Sequence, residues 1–246
     1  MHPAGGVTLE TDNCTKLTIA IDGPAGAGKS TVARKVAQRM GYIYLDTGAM
    51  YRALTLKAIR LGVDAYDGVG LAALCDQTDI RFTTRAHLQG GQPKVYLDGE
   101  DVSTEIRSAP VGSLVSIVAA HPEVRERFVR LQRRIAAGGG VVADGRDVGT
   151  YVLPAAEVKI FLTASFAERV RRRHSELLAA GRSVSEEEVS EELSARDRMD
   201  SERPVAPLKQ APDAIMIDTT GRTIDETVCQ VLAICSRRTG NVVSDC

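Results

Sequence analysis

Short apolar runs alternate along the chain with longer stretches whose apolar positions recur every three to four residues, the rhythm of βα units. Residues 16–22 are apolar and β-branched and predict a buried strand. Residues 31–40 predict a helix with Val32, Val36 and Met40 on one face and Gly41 as its stop. A second strand is expected over 42–46, then a helix over 49–61 with Thr47 placed to cap it and Gly62 to end it. A further helix over 67–78 would turn Leu71, Leu74 and Cys75 inward.

The period then changes. Residues 80–83 and 95–98 alternate like strands around Gly90-Gly91-Gln92-Pro93, which predicts a small antiparallel hairpin inserted into the βα pattern. Ile106, Val111, Leu114, Val115 and Val118 predict one helix closing near His121-Pro122; an arginine-rich one spans 123–137 and ends at Gly138-Gly139-Gly140. Further strands are expected over 141–144, 158–162 and 214–218, and helices over 165–180 and 223–234. Ser185 and Glu188 have capping-box spacing for a helix running toward Ser194. Such a sequence predicts an α/β fold with a parallel, doubly wound sheet covered by helices. Ligands of such sheets bind beyond the carboxyl ends of the strands.

Composition narrows the partners. The 246 residues are 43% hydrophobic, enough for one large domain with insertions, and carry a formal net charge of −1. That balance offers no bulk attraction to nucleic acid or membrane, and the absence of Trp argues against base-stacking platforms. The five cysteines are scattered without a C-x-x-C pair, so neither a disulfide framework nor a zinc site is expected. Residues 1–15 are polar, without the apolar centre of a secretory signal, and read with 238–246 as loose tails; a cytoplasmic protein is expected.

Gly23-Pro24-Ala25-Gly26-Ala27-Gly28-Lys29-Ser30 matches G-x-x-x-x-G-K-S/T between a strand and a helix, the context that identifies a phosphate-binding loop. Its glycines let successive N–H groups face one anion at a helix N-terminus. Lys29 can reach the β- and γ-phosphates, and the Ser30 hydroxyl can ligate Mg²⁺. The loop therefore points to a nucleoside triphosphate.

Two more motifs fall on the same rim. Arg52, in Asp46-Thr47-Gly48-Ala49-Met50-Tyr51-Arg52, could grip a second phosphate as a fork or simply be solvated. Asp144-Gly145-Arg146-Asp147 follows a strand end and is either part of the site or a self-neutralised turn. Arg169 and Arg173 lie one helical turn apart, so a closing flap could bring them onto a transferring phosphoryl group. The alternative for that charged stretch is a solvated face. His121 and His174 read as surface or packing residues.

Ile21 to Ser30, Leu45 to Arg52, Asp144-Gly145-Arg146-Asp147-Val148-Gly149-Thr150 and Ala195-Arg196-Asp197-Arg198-Met199-Asp200 together resemble bacterial cytidylate kinases over roughly residues 16–237. The resemblance implies phosphoryl transfer from ATP to CMP or dCMP with Mg²⁺. It also implies a P-loop three-layer α/β/α core, a monophosphate-binding insertion over about 62–137 and a short lid over about 169–205. It assigns Gly23, Pro24, Ala25, Gly26, Ala27, Gly28, Lys29, Ser30 and Thr31 to ATP, with Mg²⁺ at Ser30 and Asp144 a candidate through water. Lys29, Arg169, Arg173 and Arg198 would act on the phosphoryl group. Thr47, Tyr51, Arg52 and Arg146 would line the monophosphate site, and Arg196, Asp200 and Arg203 would contact the acceptor's sugar and phosphate. Ser116, Arg125 and Asp147 would read cytosine, which needs an acceptor for its amine and donors for N3 and the carbonyl.

Kinases for other nucleoside monophosphates are the nearest alternative; the hairpin and Asp144-Gly145-Arg146-Asp147 speak against them. A GTPase switch would carry N-K-x-D, which does not occur. A shikimate-type kinase would share the loop but need no base-reading residues.

Overall fold

The computed structural model describes residues 16–83 and 93–239. The expected tail over 1–15, the part of the expected tail over 238–246 beyond 239, and the hairpin tip at Gly90-Gly91-Gln92 lie outside the described residues; 238 and 239 are not tail but the last residues of the final helix, Ile224–Thr239. A parallel sheet of β1 (Thr18–Asp22), β2 (Ile43–Asp46), β6 (Val141–Gly145), β7 (Val158–Thr163) and β8 (Ile215–Asp218) has the order β2-β6-β1-β7-β8. β1 is central, so the chain turning out of it meets strands on both sides. Alternation along β1 splits the core. Ile19 and Ile21 face α1 (Lys29–Met40) and α8 (Ile224–Thr239), while Ala20 faces α5 (Pro122–Ala136).

The insertion is built on α2 (Thr47–Leu61). One side of α2, with Met50 and Leu54, packs on α3 (Gly68–Asp76), α4 (Ala109–Val118) and α5. The other side, with Ala49, Ala53 and Leu56, packs on a small antiparallel sheet of β3 (Ile80–Phe82), β4 (Val95–Leu97) and β5 (Glu100–Asp101). The expected hairpin thus gains a third, two-residue strand that exists only by pairing with β4. The expected single helix over 106–118 divides into a 3₁₀ turn, Glu105–Arg107, and α4, because Pro110 can only begin a helix.

α6 (Phe166–Ala179) and α7 (Glu186–Glu202) close the rim with their own apolar seam, Val170, Leu177, Val189 and Leu193, which also takes in Ala25 of the glycine loop. The Ser185–Glu188 capping box forms. α7 runs past the expected end at Ser194 to Glu202, so Arg196, Asp197, Arg198 and Asp200 are all helical. Thr47 does not cap α2: the Asp46 carboxylate accepts the Ala49 N–H at 2.9 Å, which frees the Thr47 hydroxyl. Cys75 and Cys235 form no disulfide, and Cys229 is disulfide-bonded, contrary to the expectation from spacing. Among the described residues no helix is long and apolar enough to cross a membrane.

Candidate active site

The glycine loop is fixed by close approach. A Cβ on Gly23, at φ +146°, would lie 1.9 Å from the Leu162 carbonyl oxygen on the neighbouring strand. Gly26 lets the loop touch the backbone of Arg169 on α6. No side chain caps α1, whose N-cap is Gly28, so its first N–H groups remain available to an anion. Lys29 is buried and its ammonium donates to the Pro24 carbonyl at 2.6 Å. Burial and the Arg146 charge hold Lys29 well below the usual lysine range, against the pull of Asp144 and Asp200.

β6 brings Asp144 to the loop. The Ser30 hydroxyl donates to Asp144 Oδ2 at 2.7 Å, and Thr47 Oγ1 donates to the Asp144 carbonyl at 2.7 Å. Burial and the Asp46 carboxylate push Asp144 up to about 6, in spite of Lys29 and Ser30. Its Oδ1 is buried without a hydrogen-bond partner among the described residues. A hydroxyl and a carboxylate with a spare oxygen, beside a phosphate cradle, suit Mg²⁺, which takes few protein ligands and keeps water and phosphate oxygens. Among the described residues no cage of three or more His, Cys, Asp or Glu occurs.

Opposite the loop the cationic groups converge. Arg146 Nε donates to Asp200 Oδ2 at 2.7 Å, and Ser116 Oγ donates to Asp200 Oδ1 at 3.3 Å. Arg146 therefore pairs with α7 and not with the carboxylates beside it in sequence. Burial, then Arg146 and Arg52, push Arg196 down to about 9. Arg52 is lowered by burial and by Arg107, Arg146 and Arg173, with Asp46 opposing. Guanidinium groups from several elements thus crowd one another: Asp200 holds Arg146 above its usual range, while Arg52 and Arg196, with no ion-pair partner among the described residues, stay below theirs.

A second buried pair lies beside it. Asp147 accepts from Arg125 through Oδ2 and from Arg203 at 2.9 Å through Oδ1. Arg125, 1% exposed, also donates to the Ala119 carbonyl at 3.2 Å. Tyr51 packs edge-on against Phe128 with centroids 5.0 Å apart, and its buried hydroxyl has no partner among the described residues. Burial pushes that phenol up to about 12.

In the lid, Arg169 is buried and donates to both the Ala25 carbonyl at 3.1 Å and Asp197 Oδ2 at 2.6 Å. Arg173 pairs with Glu176 at 3.0 Å, and its charge is felt at Arg52 and Arg196. Arg169 and Arg173 thus do not share a partner. Arg198 is exposed, and no hydrogen bond or ion pair joins it to the other site residues among those described. His121 and His174 bond the Ala65 and Val184 carbonyls at 2.8 and 2.9 Å, as packing residues do.

Sequence reasoning missed several participants. Asp22, at the end of β1, accepts the Val148 and Gly149 N–H groups at 2.7 Å each. Asp46 lies 3.6 Å from Arg107, and Asp197 holds Arg169. A lone Asp ending an apolar strand is a signal for Asp22; Arg107 carries none.

A family model described as cytidylate kinase matches residues 19–237. The chain is 52% identical over 225 residues to the cytidylate kinase of Geobacillus kaustophilus, covering 92% of this chain and 99% of that protein. It is 54% identical over 215 residues to that of Pelotomaculum thermopropionicum, covering 87% and 94%. The crystal structure of an uncharacterized protein from Eubacterium ventriosum shares the fold at TM-score 0.50 and 12% identity, over 90% of this chain and 99% of that one. The fold, the glycine loop and this similarity lead to one conclusion: the chain belongs to the cytidylate kinase family.

Proposed function

We propose that the enzyme transfers the γ-phosphoryl group of ATP to CMP or dCMP, giving ADP and CDP or dCDP, within pyrimidine metabolism. The observation that carries this reading is the buried guanidinium cluster beside Lys29, in which Arg146 has Asp200 but Arg52 and Arg196 have no ion-pair partner among the described residues. A second phosphate is what such a cluster lacks.

On this reading, Gly23 to Thr31 hold the triphosphate through backbone N–H groups, and Lys29 leaves the Pro24 carbonyl for the phosphates. Ser30, with Asp144 through water, would hold Mg²⁺, which would supply charge neutralisation at the phosphates. Thr47, Tyr51, Arg52 and Arg146 bind the acceptor phosphate, with the Tyr51 hydroxyl as a ready donor. Arg196, Asp200 and Arg203 hold the acceptor's sugar and phosphate. Ser116, Arg125 and Asp147 read the base: an Asp147 lone pair accepts the cytosine amine, while its two arginines hold the carboxylate in place. Arg169, Arg173 and Arg198 form the phosphoryl-facing lid set, with Arg198 brought in only on closure. Closure also excludes water, the competing acceptor.

The same reading divides residues 16–237 into a core, a monophosphate-binding insertion over about 62–137 and a lid over about 169–205. It has the enzyme act on free nucleotides as a cytoplasmic monomer, without nucleic acid or membrane, supported by the near-zero net charge and a site drawn from one chain. The test is coupled ADP production with CMP, dCMP, UMP, AMP, GMP, dTMP and shikimate. Turnover with CMP no higher than with AMP or shikimate would overturn the reading.

A further inference from the structure

The wide turn after β6, Val148–Val152, is held from three directions. Asp22 takes the Val148 and Gly149 N–H groups from below. Arg133 of α5 donates to the Tyr151 and Val152 carbonyls at 2.8 Å each. Arg125, one helix segment earlier, grips Asp147 at the start of the turn. The product of this bracing is one ring placement: the Arg125 guanidinium carbon lies 5.4 Å from the centroid of Tyr151 and 5.8 Å from that of Tyr51.

Arg125 needs those rings. It is the largest of the fully buried side chains, and its Nε has no hydrogen-bond partner among the described residues. A desolvated guanidinium with an unpaired N–H is stabilised by aromatic faces in place of water. Tyr51 is part of a phosphate-site motif, whereas Tyr151 belongs to none of the proposed binding sets and is 39% exposed.

We propose that Tyr151 is a positioning residue for base selection: its ring face holds the Arg125 guanidinium in the pose that favours cytosine over uracil. The proposal rests on the reading of Arg125 as a base-reading group. Cytosine offers acceptors at N3 and its carbonyl, but uracil places an N–H at N3, opposite a donor. Discrimination therefore depends on the guanidinium being unable to swing aside. The half-exposed ring can be replaced without opening a core cavity.

The experiment compares wild type, Tyr151→Leu and Tyr151→Phe in steady-state kinetics with CMP and UMP, with ATP affinity measured in parallel. Leucine keeps bulk without a π face, and phenylalanine keeps the face. Tyr151→Leu is expected to raise KM for CMP about tenfold, with kcat within about twofold and KM for UMP and ATP unchanged. Tyr151→Phe is expected to behave as wild type. The proposal is overturned if Tyr151→Leu matches wild type, if both variants lose alike, or if CMP and UMP suffer equally. Failure of the underlying assignment looks different: the wild type itself would show no preference for CMP.

Discussion

Ser30 and Asp144 are 114 residues apart in sequence, yet the serine hydroxyl donates to the aspartate carboxylate at 2.7 Å. The bond joins the first helical turn after the glycine loop to the end of the adjacent strand, and the other carboxylate oxygen is left over. Asp144→Asn should keep the fold but weaken the ion site. Initial rates across a Mg²⁺ series should show a half-saturation point raised about tenfold or more. An unchanged Mg²⁺ requirement would remove Asp144 from the metal's surroundings.

Lys29 is a buried cation among other cations. Lys29→Ala should lower kcat by orders of magnitude, because phosphoryl transfer depends on charge neutralisation. Its melting temperature should hold or rise, since a desolvated ammonium near Arg146 and Arg196 costs the folded apoenzyme stability. Normal turnover, or a large loss of thermal stability, would contradict this assignment.

Asp147 carries two buried guanidiniums, Arg125 and Arg203. Asp147→Ala leaves both without their carboxylate, at a cost of about 3–5 kcal/mol in chemical denaturation. Asp147→Asn retains the shape and one acceptor oxygen and should be milder. In that milder variant KM for CMP should rise more than KM for UMP. Equal changes for the two bases would make Asp147 a structural group only.

Asp22 gives a signed pH effect. Burial raises its carboxyl from the ordinary 3.8 to about 6, although the Val148 and Gly149 N–H groups oppose the shift. Between these values the folded protein holds a proton that the unfolded chain has released. The contribution of Asp22 to stability is therefore full below about pH 4 and is lost as pH rises through about 6. Relative to Asp22→Asn, the wild type should gain on the order of 3 kcal/mol between about pH 7 and about pH 4. Denaturation curves of the two proteins that stay parallel over that range would show that Asp22 does not titrate in this way.

Where punctuation is local, the fold was legible. Gly41 and Gly62 end α1 and α2 in left-handed conformations as their positions suggest. The break before α4 was also written in Pro110, but the apolar spacing across it masked the signal. The end of α7 is not marked in the sequence, because its last two turns are charged on several faces and its buried apolar residues are Val189 and Leu193 alone. In the site, contiguous motifs are visible in the sequence, and contacts that act across the fold are not. Asp22 reaches Val148 over 126 positions, and Tyr151 acquires meaning only from the arginine its ring covers. Neither relationship has a period or a spacing.

Arg169 touches the Ala25 carbonyl of the glycine loop with the same guanidinium that holds Asp197 on α7. One helical turn on, Asp200 holds Arg146. On the proposed reading, a single helix is thereby fastened to both nucleotide halves of the site. If a bound triphosphate shifted α7 and so altered the other substrate's affinity, thermodynamic reciprocity would make the return effect equal in size. The two nucleotides would then bind as a coupled pair, each reporting the other's presence through one rod.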